Sequence, residues 1–341
     1  MINLPNLQKQ LTEQGAPAYR WRQFLDYYFS WDLKVWPNVD ALQTWPKTLK
    51  NDLPALHNIT EIKYLESADR RSAKAIIKYG DDDKWVETVL MRYHNYDTIC
   101  LSSQLGCPLN CKFCATGQGG FIRNLTAEEI IEQFQAWLIY LNQNGKADSI
   151  KNLVFMGMGE PFLNWPEVKR AIEYLHDNYG IGHRHITIST AGLPDKIKEF
   201  SDLDWPVNLA ISLHAGSDAV RQKLMPIANT YNLNQLWDSI NYYFGKHRRK
   251  LFLEYILIEH LNDSVEEMRL VVERIKKSER KLLHINMIPY NPHSAADFQS
   301  SSAEQLRRLE ALLKDEKIHY TWRDSLGQEI GGACGQLSKN S

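Results

Sequence analysis

The sequence has no long apolar run. Of its 341 residues 43% are hydrophobic, yet no stretch approaches the ~20 apolar residues that span a bilayer, so no membrane association is expected. It also lacks an excess of either charge: 40 Lys and Arg against 41 Asp and Glu leave a net charge of −1. Any nucleic-acid contact must therefore come from local basic patches, not from a global field. Internal repeats and low-complexity segments are absent. Cysteine is scarce, at 5 residues, and an odd, clustered set excludes a secreted disulfide framework. The opening residues Met1-Ile2-Asn3-Leu4-Pro5 do not read as a basic-then-apolar leader. The expectation is a folded cytoplasmic protein with one large domain and something smaller.

What stands out is Gly106-Cys107-Pro108-Leu109-Asn110-Cys111-Lys112-Phe113-Cys114. Its cysteines are spaced Cys-x3-Cys-x2-Cys. Three thiolates on a short loop can hold three irons of a cubic iron–sulfur cluster and leave the fourth iron open. A structural zinc site closes with four Cys or His ligands, and no fourth candidate stands nearby at finger-like spacing. Zinc knuckle and iron–sulfur loop are the competing readings of these residues alone.

Residues 1–60 carry helix signals: Leu4, Leu7 and Leu11, then Phe24, Leu25, Tyr28 and Phe29, then Leu49, Leu53 and Leu56 after Pro46. Within them Tyr19-Arg20-Trp21-Arg22-Gln23-Phe24 interleaves cations with aromatics, a mix suited to phosphates and bases, or else a solvated helix over core aromatics. Residues 61–94 switch to alternation, as in Ala73-Lys74-Ala75-Ile76-Ile77-Lys78-Tyr79. A turn at Asp81-Asp82-Asp83 precedes Trp85 to Leu90, which predicts two short strands in a hairpin. Arg70, Arg71, Lys74 and Lys78 make this segment basic.

From about residue 95 strands and helices alternate. Strands are expected at Thr98–Ser102, Lys151–Met156, His185–Ser189, Val207–Ser212, Leu251–Ile258 and Leu283–Ile288. Thr126 and Glu129 form a capping box that opens a helix through Ile130, Phe134 and Leu138. Parallel strands linked by helices form an α/β barrel or a doubly wound sheet. The cysteine loop, Gly157–Pro161, Ser189, Ser212–His214 and Asn291 all follow strand ends, the face where barrels keep their chemistry. Basic runs at Lys246–Lys250, Arg274–Lys281 and His183–His185 read as solvated faces or as RNA contacts.

With an aromatic, Phe113, before its last cysteine, the loop resembles the signature of the radical S-adenosylmethionine enzymes. Gly106 to Thr126, Phe155 to Pro161, Ile288 to Pro292 and Ala333 to Leu337 narrow the likeness to the RlmN-type RNA adenine carbon-2 methyltransferases, over essentially the whole chain. The resemblance implies a partial (β/α)6 TIM-like barrel over residues 95–325. It also implies an N-terminal helical RNA-binding domain over 1–60, a β-hairpin linker over 61–94 and a carrier tail over 326–341. It implies a [4Fe-4S] cluster on Cys107, Cys111 and Cys114. S-adenosylmethionine would be held by Gly159, Glu160, Ser189, Ser212, Leu213, His214 and Asn291.

In that family one S-adenosylmethionine methylates a cysteine, matched by Cys334, and a second yields the 5′-deoxyadenosyl radical that activates this methyl group for addition to carbon 2. A second thiol, matched by Cys100, resolves the protein–RNA crosslink as a disulfide. Glu87 matches the proposed proton acceptor and would need partial burial for that work. The implied partners are 23S rRNA, tRNA and a flavodoxin-type one-electron reductant, with a monomeric enzyme. Two alternatives stand beside this reading. A Cfr-like enzyme acting on carbon 8 typically carries Cys where Leu105 stands and Ala where Pro161 stands. A non-catalytic iron–sulfur protein would need neither Cys100 nor Cys334.

Overall fold

The computed structural model describes residues 2–338 apart from 30–41, 43, 48, 50–52, 54–56, 81, 83 and 144–149. The expected helical signal at Leu56 and the turn residues Asp81 and Asp83 lie outside the described residues. Helix α1 (Leu4–Glu13) starts where the Asn3 side chain accepts the Asn6 N–H. It buries Leu4, Leu7 and Leu11. Helix α2 (Ala18–Tyr28) buries Phe24, Tyr27 and Tyr28.

Strands β1 (Ile59–Glu66), β2 (Ser72–Tyr79) and β3 (Val86–Arg92) follow, antiparallel to one another. The sequence predicted two strands here. The third, β1, was hidden because Thr60 and Glu61, and again Leu65 and Glu66, are exposed in succession, which breaks the alternation. β3 in turn pairs antiparallel with β4 (Asp97–Cys100), Val89 opposite Cys100.

The parallel strands β4, β7 (Ile150–Phe155), β8 (Ile186–Thr190), β9 (Asn208–Ser212), β10 (Leu251–Leu257) and β11 (Leu283–Pro289) run in sequence order. They match the six expected strands within a few residues at each end. A short strand, β12 (Tyr320–Trp322), adds parallel to β11 and was too brief to read from sequence. A separate hairpin of β5 (Gln104–Gly106) and β6 (Phe121–Asn124) closes the cysteine loop.

Helix α3 (Ala115–Gln118) lies in the cysteine loop between β5 and β6, and α4 (Ala127–Gln143), α5 (Trp165–Tyr179), α6 (Pro194–Ser201), α7 (Asp218–Leu224), α8 (Leu233–Lys246), α9 (Val265–Lys276) and α10 (Ala303–Asp315) fill the crossovers. The capping box forms: Thr126 Oγ1 accepts the Glu129 N–H at 3.2 Å and Glu129 accepts the Thr126 N–H at 2.9 Å.

Of three buried carboxylates on α4, two tie the N-terminal part to this scaffold and one holds the β5–β6 hairpin. Glu128 accepts the Leu4 N–H and pairs with Arg170. Glu129 pairs with Arg123, and Glu132 accepts the N–H and side-chain amide of Asn58. Helices α1 and α2 share one apolar core with the sheet. Among the described residues no helix is long and apolar enough to cross a membrane.

Candidate active site

The cysteine loop leaves β5 at Gly106, whose φ of +78° favours glycine. A β-carbon there would strike the Gly120 carbonyl oxygen, which accepts the Cys107 N–H at 3.1 Å. At Gly117 a β-carbon would lie 2.9 Å from the Cys111 nitrogen. The two glycines thus let the loop fold back on itself and gather its thiols. Burial pushes Cys107 up to about 12 and Cys111 well above the ordinary thiol range; the Cys114 thiol and the Glu160 carboxylate push both the same way. The three half-buried cysteines lie within electrostatic range of one another in one recess. Among the described residues no group of three or more His, Cys, Asp or Glu side chains is placed to hold a single metal ion.

One buried cation faces this recess. Arg221 is fully buried; its Nε donates to the Leu213 carbonyl at 3.2 Å and its Nη2 to Ala191 at 2.7 Å and Ser212 at 3.3 Å. Its Nη1 is buried with no hydrogen-bond partner, and its charge lowers the proton affinity of Cys111. A guanidinium with a spare N–H beside three ionisable sulfurs suits an anionic thiolate-bound cluster. The residues present fit the group.

The loop after β7 supplies the second wall. At Gly159, φ is +102°, and a β-carbon would lie 2.5 Å from Gln104 Cβ. Glu160 is buried; its oxygens accept the Phe162 N–H at 3.0 Å and the Ala191 N–H at 2.7 Å, while burial raises its pKa to about 7. Ser189 lies near the end of β8, and Ser212 ends β9, followed by Leu213 and His214.

His214 takes a left-handed φ of 57°, packs edge-on against Phe113 and accepts the Ile256 N–H on Nδ1 at 3.1 Å. Burial, reinforced by Arg221, lowers its pKa to about 3. It is a neutral ring braced under the cysteine loop. Asn291 follows β11, with its Oδ1 accepting from Gln328 at 2.6 Å.

The C-terminal segment lies across this mouth. The Cys334 carbonyl accepts from Asn291 Nδ2 at 3.1 Å, the Gly335 carbonyl from the Ala115 N–H at 2.7 Å, and the Leu337 carbonyl from Thr116 Oγ1 at 2.7 Å. Leu337 packs with Val89, Cys100 and Met158. Cys334 is exposed, Cys100 is buried, and both are free thiols. Burial pushes the Cys100 thiol well up, and the neighbouring Cys334 adds to the shift. Cys334 is also within electrostatic range of Cys114 and Glu254. The strand pairing and the tail thus bring Cys334, Cys100 and the cysteine loop to one place.

Glu87 is fully buried, not partly. It pairs with Lys74 Nζ at 2.8 Å and accepts the Ser338 N–H at 2.9 Å. Lys74 therefore leaves the basic surface expected around Arg70 and Lys78. The sequence carries no signal for this pair, since β2 holds a second lysine, Lys78, and only the strand register selects Lys74. Arg221 gave no signal either, since its partners are distant carbonyl groups.

The basic runs are not part of this mouth. Lys246–Lys250 precedes β10 and His183–His185 precedes β8, at the opposite ends of the strands. Arg249 donates to Asn208, and Lys276 pairs with Glu316. In the aromatic-cationic stretch Phe24 is core, whereas Tyr19 is 53% exposed with the Arg20 guanidinium 4.9 Å from its ring centre.

Residues 101–272 match the family model described as the radical SAM superfamily. The chain is 35% identical over 344 residues to a probable dual-specificity RNA methyltransferase RlmN of Clostridium perfringens, covering 99% of this chain and 96% of the relative. It is 40% identical over 347 residues to the protein of the same name from Alkaliphilus metalliredigens, covering 99% and 94%. The crystal structure of a radical SAM methyltransferase from Sphaerobacter thermophilus superposes with a TM-score of 0.90 at 35% identity, over 98% of this chain and 97% of that one.

Proposed function

Because the chain belongs to the RlmN family of radical S-adenosylmethionine RNA methyltransferases, we propose that its barrel mouth methylates carbon 2 of adenine in 23S rRNA and in tRNA. The observation that carries this reading is the tail, which brings the exposed thiol of Cys334 beside both the cysteine loop and the buried thiol of Cys100.

Cys107, Cys111 and Cys114 give up their protons to hold the [4Fe-4S] cluster, and Arg221 offsets the negative charge that results. Gly159, Glu160, Ser189, Ser212, Leu213, His214 and Asn291 hold S-adenosylmethionine, with the Gly159 backbone free to approach closely. Bound there, these groups supply a methyl cation equivalent in one round and a primary carbon radical in the other, two cofactor molecules per turnover.

Cys334 Sγ loses its proton and takes up the methyl group, which becomes the one-carbon bridge between enzyme and base. Once that carbon is bonded to carbon 2, Glu87 accepts the carbon-2 proton, and the unpaired electron left on the base would return to the one-electron carrier that serves the site, leaving a closed-shell thioether. The Cys100 thiolate then attacks Cys334 Sγ. A sulfur–sulfur bond forms as the sulfur–carbon bond breaks, and the electron pair leaves with the methylene carbon, which takes a proton to become the methyl group. A dithiol reductant must reopen the disulfide before the next turnover.

A one-electron carrier of flavodoxin type would feed the cluster, and a cytoplasmic monomer fits the family. Helices α1 and α2, with exposed Tyr19 and half-buried Arg20, are the proposed accessory RNA contact. The test is mass spectrometry of rRNA and tRNA nucleosides from cells with and without the gene. Gene-dependent 2-methyladenosine in both RNAs is expected. Its absence, or 8-methyladenosine in its place, overturns the reading.

A further inference from the structure

The carrier tail is held at both ends by one buried ion pair. Lys74 stands opposite Val89, and Glu87 opposite Ile76. Both charged residues therefore share the sheet face of Val89, whose partner across the next pairing is Cys100. Their side chains are 7% and 0% exposed and meet at 2.8 Å. Burying two charges is costly, and such a pair contributes little net stability over apolar residues of the same size. Its other bonds are informative. Lys74 Nζ also donates to the Gly331 carbonyl at 3.4 Å, and Glu87 Oε2 accepts the Ser338 N–H at 2.9 Å. Gly331 and Ser338 bracket Cys334. Gly331 has φ +61°, and a β-carbon there would lie 3.3 Å from Lys74 Nζ, so its lack of a side chain lets the lysine reach the backbone.

We infer that Lys74 is a positioning residue: through its pair with Glu87 it latches the loop 331–338 and so fixes Cys334 over Cys100. This extends the methyltransferase reading and rests on it for the roles of the two thiols. A loop fixed at both ends has few places to put its middle. The same carboxylate that holds Ser338 is the one proposed to accept the substrate proton. Releasing the tail and freeing the base are therefore one event, not two.

The test is amide hydrogen exchange on the reconstituted full chain without RNA, comparing wild type with Lys74→Arg and Lys74→Met. Exchange across 331–338 should speed up by about tenfold in Lys74→Met, with β7 to β9 unchanged, and Lys74→Arg should restore protection. If Lys74→Met does not fold, Glu87→Gln, which keeps the shape and an acceptor oxygen but removes the charge, is read by tail exchange alone, since Glu87 is also the proposed proton acceptor. With RNA present, Lys74→Met should release more 5′-deoxyadenosine per methyl group transferred, an uncoupling that a loss of global stability would not produce. Unchanged tail exchange and unchanged coupling in every folded variant overturn the latch. Wild-type enzyme that methylates no RNA, with a tail still released by Lys74→Met, overturns the function and leaves the latch standing.

Discussion

Asn291 grips the Cys334 carbonyl through its side-chain amide at 3.1 Å, while its own carbonyl oxygen accepts from Gln328. A residue assigned by resemblance to the cofactor is thus also a backbone anchor for the carrier. Asn291→Ala should weaken both functions, raising the S-adenosylmethionine Kd and loosening the tail, whereas Asn291→Asp keeps one acceptor and loses the donor. Equilibrium dialysis and hydrogen exchange on the same preparations separate the two effects. Loss of cofactor affinity with an unaltered tail would remove the anchoring role.

The cysteine loop makes the simplest prediction. Anaerobically reconstituted protein should hold about four irons and four sulfides. Replacing Cys107, Cys111 or Cys114 by Ala should abolish both the cluster and reductive cofactor cleavage. Iron analysis and 5′-deoxyadenosine release are the measurements. Stoichiometric zinc without iron in anaerobically isolated protein would count against the assignment.

Two thiols with different tasks should fail differently. Cys334→Ala leaves nothing to be alkylated, so neither methylated enzyme nor RNA adduct should form. Cys100→Ala should still be methylated at Cys334 and should accumulate as a covalent RNA complex. Digestion and mass spectrometry would find a nucleotide on the peptide containing Cys334. Normal turnover by Cys100→Ala, or an adduct surviving in Cys334→Ala, would remove these roles.

Burial holds the Cys100 thiol protonated well above the ordinary thiol range, and only the thiolate attacks sulfur. Resolution of the adduct should therefore accelerate by about tenfold per pH unit through the neutral and mildly alkaline range, without a plateau near pH 8 to 9. Decay of the trapped complex followed by gel gives the profile. A plateau near pH 8 would mean that a neighbouring base takes the proton.

Glu160 titrates in a different window. Its buried carboxyl has a pKa of about 7, so it is neutral below that pH and anionic above it. Pairing with a cationic cofactor requires the anion. Affinity for S-adenosylmethionine should therefore fall as pH drops through about 7, approaching tenfold per unit, and Glu160→Gln should bind weakly with no such slope. A pH-independent Kd in the wild type would detach Glu160 from the cofactor.

The cysteine spacing was legible because cluster ligation demands particular residue types at short range. The parallel strands were legible because burial on both faces leaves unbroken apolar runs such as Leu209-Ala210-Ile211. Strand β1 escaped notice because Leu65 faces outward and is 43% exposed. The Lys74–Glu87 pair could not be read, since it depends on the register of two strands, and register is set by the whole sheet. Arg221 was invisible for a related reason. It sits among ordinary surface charges in sequence, and only the fold turns it inward to carbonyl groups of Ala191, Ser212 and Leu213.

The pairing of β3 with β4 sets a boundary for building chimeras within this family. An exchange of N-terminal segments that cut the chain near residue 94 would import a foreign Lys74 and Glu87 beneath a native tail. A junction just before Ile59 keeps β1 to β3, the cysteine loop and the tail as one heritable unit, and requires of the incoming helices only that they bring equivalents of Leu4 and Asn58 to Glu128 and Glu132 and refill the shared core.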